Sequence, residues 1–216
     1  MTITPKDTVQ DIVVRQKALF SMGAGRIVAA LRDTPAPKYV PLARRWWRDR
    51  RLRTRDMATL TMGELSVVEA RQPSYEYFCT VLGVMLGLVR YNRMLPDGNP
   101  DWTAGFSIDT ERIGQLRYLS AQRYFMAVQE GMEGIAKAWK KLEMPQTPAE
   151  MKARIKRPAR GLVSICRRYC QLMNGAVKMH EAWNTPWSTV YEAFEGCKYD
   201  NMEQRKMYEM NKPKKR

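Results

Sequence analysis

The sequence holds a single histidine, His180. General acid–base and nucleophile–base schemes usually need an imidazole oriented by a second group, so the commonest catalytic constellations are removed at once. It also has no P-loop and no Gly-x-Gly-x-x-Gly; Met22-Gly23-Ala24-Gly25 is too short a match. Glu64, Glu69, Asp109 and Glu111 are scattered without the spacing of a ligand set. No enzyme is expected, and no cofactor. Cysteine is sparse: Cys79, Cys166, Cys170 and Cys197. Cys166 and Cys170 share a helical face and could be combined with His180 and Cys197 as a zinc set, yet paired zinc ligands normally come from a tight turn. Buried thiols on an apolar helix face are the expected reading, and no metal is assigned.

Long apolar runs are missing too. The longest, Tyr77 to Val89, has thirteen residues, too few to span a bilayer and suited to a buried helix. The opening MTITPKDTVQDIVV lacks a charged segment followed by an apolar one, so no secretory signal is expected and the thiols should be reduced. The expected location is the cytoplasm, or the host cytoplasm or virion if the protein is viral, with no membrane partner. Strand signals are equally scarce. No Asn-Gly or Asp-Gly separates two alternating runs, and Asp97-Gly98 sits in a proline-flanked loop.

What is abundant is positive charge. Thirty-seven Lys and Arg face twenty-two Asp and Glu, a net charge of +15. Such a surplus favours polyanionic partners and says nothing about fold. With 44 % hydrophobic residues in 216, the chain can bury a core without a disulfide or metal.

Helical spacing recurs along the chain and implies an all-α fold, an irregular multi-helix bundle with one long helix at about 109–144. Thr8 can cap a first helix whose apolar residues are Val9, Ile12, Val13 and Leu19. Helices are expected from Gly63 to Ala70 and from Ser74 to Met94. Pro96 to Ser107, with two prolines and two glycines, is the clearest loop. The chain accordingly divides into a basic N-terminal helical lobe (1–95), a loop (96–108), a C-terminal helical lobe (109–210) and a basic tail (211–216). In the second half, Thr147-Pro148-Ala149-Glu150 reads as a capping box, Gly161 to Trp183 as a helix, and Thr185-Pro186 as the start of a last helix to about Met210.

The strongest single feature lies after Pro41. Seven of the twelve residues from 44 to 55 are arginine: Arg44, Arg45, Arg48, Arg50, Arg51, Arg53 and Arg55. Trp46, Trp47 and Leu52 are interleaved. Read as a helix, this stretch combines guanidinium forks suited to phosphate with rings that can stack on bases, a candidate nucleic-acid-binding element. The same pattern also describes a solvated helix anchored by its tryptophans, its arginines paired with acidic groups. A second basic cluster, Lys152, Arg154, Lys156, Arg157 and Arg160, extends the positive field and by itself reads as a solvated face.

In the long helix, Tyr118, Ala121, Phe125, Val128, Met132, Ile135, Trp139 and Leu142 alternate steps of three and four, a heptad seam. Phe125, Val128, Met132, Ile135 and Trp139 are its candidate protein-interface residues. Part of the seam is expected to project beyond its own core as an association surface; the alternative is that the later helices fold back and cover it. Fifteen methionines and six tryptophans favour a protein that repacks against partners.

Two stretches carry a resemblance. Leu60-Thr61-Met62-Gly63-Glu64-Leu65 resembles the Leu-Thr-hydrophobic-Gly-Glu segment of small helical morphogenesis proteins of tailed bacteriophages, including tail-assembly chaperone-like ones. Residues 185–210, TPWSTVYEAFEGCKYDNMEQRKMYEM, resemble their closing helix with its Val-Tyr pair and charged, Tyr-rich end. The resemblance implies a structural or assembly role and brings no catalytic residues with it. The expected function is thus non-enzymatic, acting through helical contacts with other subunits or copies of itself; the alternative is nucleic-acid binding through the arginine-rich stretch.

Overall fold

The computed structural model describes residues 3–4, 6–15, 31, 34–42, 51–69, 74–143, 152 and 161–211. Arg44, Arg45, Arg48 and Arg50, the capping box at Thr147 and the tail after Asn211 lie outside them. Among the described residues there are eight α-helices and two sheets of two strands each. The fold is therefore mainly helical rather than all-α.

Helix α1 (Val9–Arg15) starts as Thr8 implies. Thr8 Oγ1 accepts from the Asp11 amide at 3.1 Å, and the Asp11 carboxylate accepts from the Thr8 amide at 2.9 Å, so two donors at the helix start are answered locally. Strands β1 (Tyr39–Pro41) and β2 (Arg51–Arg53) follow as an antiparallel pair. The chain then makes a short 3-10 turn at Met57–Thr59 and enters α2 (Met62–Glu69). Helix α3 (Tyr75–Met85) is capped by Ser74, whose Oγ accepts from the Tyr77 amide at 3.0 Å.

Three expected helices end early or break, each for a visible reason. The helix expected to reach Met94 stops at Met85, because Gly87 takes φ 68, the left-handed geometry that closes a helix, and the Leu88 amide turns back to the Gly83 carbonyl at 2.7 Å. The chain leaves as β3 (Val89–Tyr91), which pairs with β4 (Phe106–Ile108), Val89 opposite Ile108 and Tyr91 opposite Phe106. Most of the expected loop 96–108 is thus the tip and return arm of a hairpin, with the Gly98 amide bonded to the Leu95 carbonyl at 2.9 Å. Strands of three residues are too short to display a two-residue period.

The helix expected at 109–144 is two helices, α4 (Thr110–Gly114) and α5 (Tyr118–Lys141). Between them the backbone bonds outward: the Val9 amide donates to the Leu116 carbonyl, Arg117 to Pro41, and Tyr118 to Asp7, each at 2.9 Å. Those bonds replace the helical ladder and tie α4 and α5 to the N-terminal segment and β1. Helix α6 (Leu162–Leu172) is likewise separated from α7 (Met179–Asn184) by a turn with Asn174 and Gly175 at positive φ. Helix α8 (Trp187–Asn211) runs as Thr185-Pro186 implies.

One cluster of buried side chains extends from Val9 to Val190 and draws on residues from both sides of the 96–108 segment. Ile12, Val40, Leu60, Met62, Leu82, Ile113 and Leu116 lie wholly inside it.

Candidate functional site

The described part of the arginine-rich stretch holds a strand at Arg51–Arg53 where the sequence implies a helix. In β2, Arg51 and Arg53 point to solvent while Leu52 packs on the core beside the buried Val40. An Arg-Leu-Arg triplet is the period-two pattern of a half-buried strand, hidden in the sequence by the arginines before it. Tyr39, itself exposed, sits directly opposite Arg53. The strand pair therefore presents two guanidinium groups and a phenol ring on its solvent face.

Arg55 goes elsewhere. Its Nη1 donates to Glu64 Oε1 at 2.5 Å and its Nη2 to Glu64 Oε2 at 3.0 Å, a two-pronged ion pair. Burial works against its charge, and the hydrogen bonds and field of the Glu64 carboxylate outweigh it, so its pKa is raised. The Arg55 backbone is held as well: its amide donates to the Tyr124 hydroxyl at 3.0 Å, and burial pushes that phenol up to about 12. Arg55 is a fixture of the fold, unlike Arg51 and Arg53.

Glu64 carries a second task as the reciprocal cap of α2. Its amide donates to Thr61 Oγ1 at 3.2 Å, and its Oε2 accepts from the Thr61 amide at 3.0 Å. Between them, Gly63 faces the Trp102 indole so closely that an added Cβ would lie 2.2 Å from the ring. Trp102 in turn donates from Nε1 to Asn184 Oδ1 at 2.9 Å. The Leu60–Leu65 motif is therefore a packing junction whose Thr, Gly and Glu each have a local physical job.

The two stretches that carry the bacteriophage resemblance meet at this junction. Thr61 bridges Pro186; the Met62 amide donates to the Thr185 carbonyl at 3.0 Å and the Trp187 amide to the Leu60 carbonyl at 2.9 Å. Trp187 Nε1 donates to the Met57 carbonyl at 2.7 Å, and Ser188 Oγ to the Ala58 carbonyl at 3.0 Å. The start of α8 is thereby fixed through side chains and backbone alike. Nothing local in the sequence signals this pairing.

Most of the seam on α5 lies inside the chain. Val128, Met132 and Ile135 are buried, and Phe125 and Trp139 are half-buried against the same core. Phe125 packs on Tyr77 and Phe78 from α3, and Trp139 packs edge-on to Tyr191 and Phe194 of α8 at ring separations of 5.6 and 5.9 Å. Where α5, α6 and α8 approach one another they leave a cavity of about 1090 Å³, with Met132, Ile135, Leu162 and Phe194 among its walls.

The C-terminal part of α8 contrasts with this. From Tyr199 onward every described side chain is exposed. Tyr199, Met202, Met207, Tyr208 and Met210 are 63, 40, 53, 70 and 77 % exposed, five large apolar residues within one stretch of helix. Scattered single apolar residues are normal on a surface, whereas these five fall within twelve residues of one helix.

The thiols show no such concentration. Burial pushes Cys166 up to about 12, and its sulfur stays protonated. Among the described residues no three His, Cys, Asp or Glu side chains come together as metal ligands would, and no helix is long and apolar enough to cross a membrane. No protein-family model matches the chain, and neither a characterised protein nor a solved structure is significantly similar to it.

Proposed function

We propose that this chain is a non-enzymatic structural or assembly protein that works by docking helical surfaces onto other protein subunits. The observation that carries this is the projecting end of α8. A folded domain has no stability reason to leave Tyr208 and Met210 in water at the end of a 25-residue helix whose first half is firmly anchored. The resemblance of residues 60–65 and 185–210 to morphogenesis proteins of tailed bacteriophages supports the setting, a virion or its assembly in the host cytoplasm. That the two stretches pack together makes them one structural unit, an anchor and the helix it aims.

The test is co-expression of the full chain with the products of the genes flanking its own, read by size exclusion with light scattering. A stoichiometric complex is expected, lost when Tyr199, Met207, Tyr208 and Met210 are all changed to Ser while helicity and melting temperature hold. A complex that survives those four changes would put the docking surface elsewhere.

A second reading, nucleic-acid binding, is favoured by one observation: Arg51, Arg53 and Tyr39 stand exposed together on the β1–β2 pair. Phosphate contacts release counterions, so each such arginine contributes close to one unit of salt slope. Arg51→Gln with Arg53→Gln should reduce the slope of duplex binding by about two units. Arg55→Gln should instead lower stability, because its partner is Glu64. No binding to duplex or single strand at low salt would remove this reading.

A further inference from the structure

The exposed end of α8 has a pattern of its own, separate from the stripe that docks its first half. We infer that it pairs with the same segment of a second copy of the chain, the two helices running antiparallel; this rests on the docking role proposed above and names its partner. Tyr199, Glu203, Lys206 and Met210 follow one another in steps of four, three and four, the a/d line of a two-stranded coil, with Met202 and Met207 flanking it on either side. All six are exposed. The core-facing residues of the first half, Trp187, Val190 and Phe194, fall on a nearly opposite face, so this line is not a continuation of the internal packing.

Charge decides the direction. In an antiparallel pair an a residue meets a d residue of the partner. A two-fold axis midway between residues 204 and 205 then sets Tyr199 against the partner copy's Met210, and Glu203 against its Lys206, each twice by symmetry. The four-residue line maps onto itself, with an aromatic–thioether layer at each end and two opposite-charge layers at the centre. A parallel pair would instead set glutamate beside glutamate and lysine beside lysine. The paired segment spans about 18 Å of helix, so the contact is below standard interface size and the dimer is weak and concentration-dependent.

Sedimentation velocity of the full chain over a concentration series should show a monomer–dimer equilibrium. Glu203→Lys and Lys206→Glu should each weaken it by at least about tenfold, since either change puts like charges in both central layers. The doubly reversed chain, E203K with K206E, should return to wild-type affinity. An equimolar mixture of the two single variants should also associate as tightly as wild type, because every central layer is again of opposite sign. Circular dichroism should be unchanged throughout, the positions being exposed.

A wild type that remains monomeric at every concentration, or single variants that do not recover on mixing, would overturn the pairing. The two proposals fail separately. Loss of a heterologous partner in the four-serine variant while the wild type stays monomeric would leave the docking role standing and the self-pairing refuted. A dimer responding to charge reversal, with no other partner bound, would support the pairing and restrict the docking role to it.

Discussion

Helices α5 and α8 are almost equal in length, 24 and 25 residues, both are rich in methionine and aromatic side chains, and both begin firmly fixed. Their apolar residues meet opposite fates. On α5, Val128, Met132 and Ile135 are buried in the core, and the helix packs against α3 and the turn at Met57, leaving little for a partner. On α8, the first part is held by Trp187, Val190 and Phe194, and from Tyr199 onward every described side chain is exposed. The difference teaches that seam quality does not identify an interface. The better heptad in this chain belongs to the buried helix, and the shorter, interrupted line belongs to the exposed one. What separates them is whether other elements of the fold arrive to cover them.

That contrast can be broken most directly by truncation. Met132→Ala should cost about 3 kcal/mol in urea unfolding, the usual loss for a large buried side chain, whereas Met210→Ala should change stability by less than about 0.5 kcal/mol. Similar costs at the two positions would mean that the end of α8 is covered after all. Next comes the junction that aims α8. Gly63→Ala forces a methyl group toward the Trp102 ring and should cost about 2 kcal/mol. If the end of α8 is the docking surface, that substitution should weaken association in step with the loss of folded protein and no further.

A smaller effect is expected from acid. Hydrogen bonds from Thr103, with the Arg93 guanidinium beside it, hold the Asp101 carboxyl down to about 2. A carboxyl whose folded pKa is depressed adds stability above its ordinary pKa near ~4 and loses it as the pH falls toward ~2. Asp101→Asn should therefore flatten the fall in stability between those limits, read as melting temperature against pH. It should leave the association of α8 untouched, since Asp101 lies in the β3–β4 hairpin connection. The least effect of all is expected from Tyr208→Ser, with stability unchanged within about 0.5 kcal/mol. Tyr208 lies off the proposed a/d line, so its removal should also leave self-association nearly intact while weakening contacts with a different subunit.

Much of the helical content was legible along the chain, because helix caps and helix periods close within four residues. Thr8, Ser74 and the Thr185-Pro186 start can be read one after another, and the structure has helices where they point. The breaks at 86–88 and 115–117 were harder to read. Gly87 is a local signal, but the split at Leu116 follows from backbone bonds to Val9 and Pro41, residues that no helical pattern brings near. The strand at Arg51–Arg53 was obscured by composition, since seven arginines in twelve positions conceal a two-residue alternation that needs only one leucine.

The division follows from the range of the forces. By itself the sequence determined the net charge of +15, the scarcity of imidazole, the caps and the main helices, all properties of single residues or of neighbours within one helical turn. Only the tertiary structure decided that Arg55 pairs with Glu64 while Arg51 and Arg53 stay in solvent, that Leu60 and Trp187 share a backbone bond, and that α5 is covered while the end of α8 is not. Each of those outcomes depends on a group arriving from elsewhere in the chain, and burial is a property of the meeting rather than of either residue.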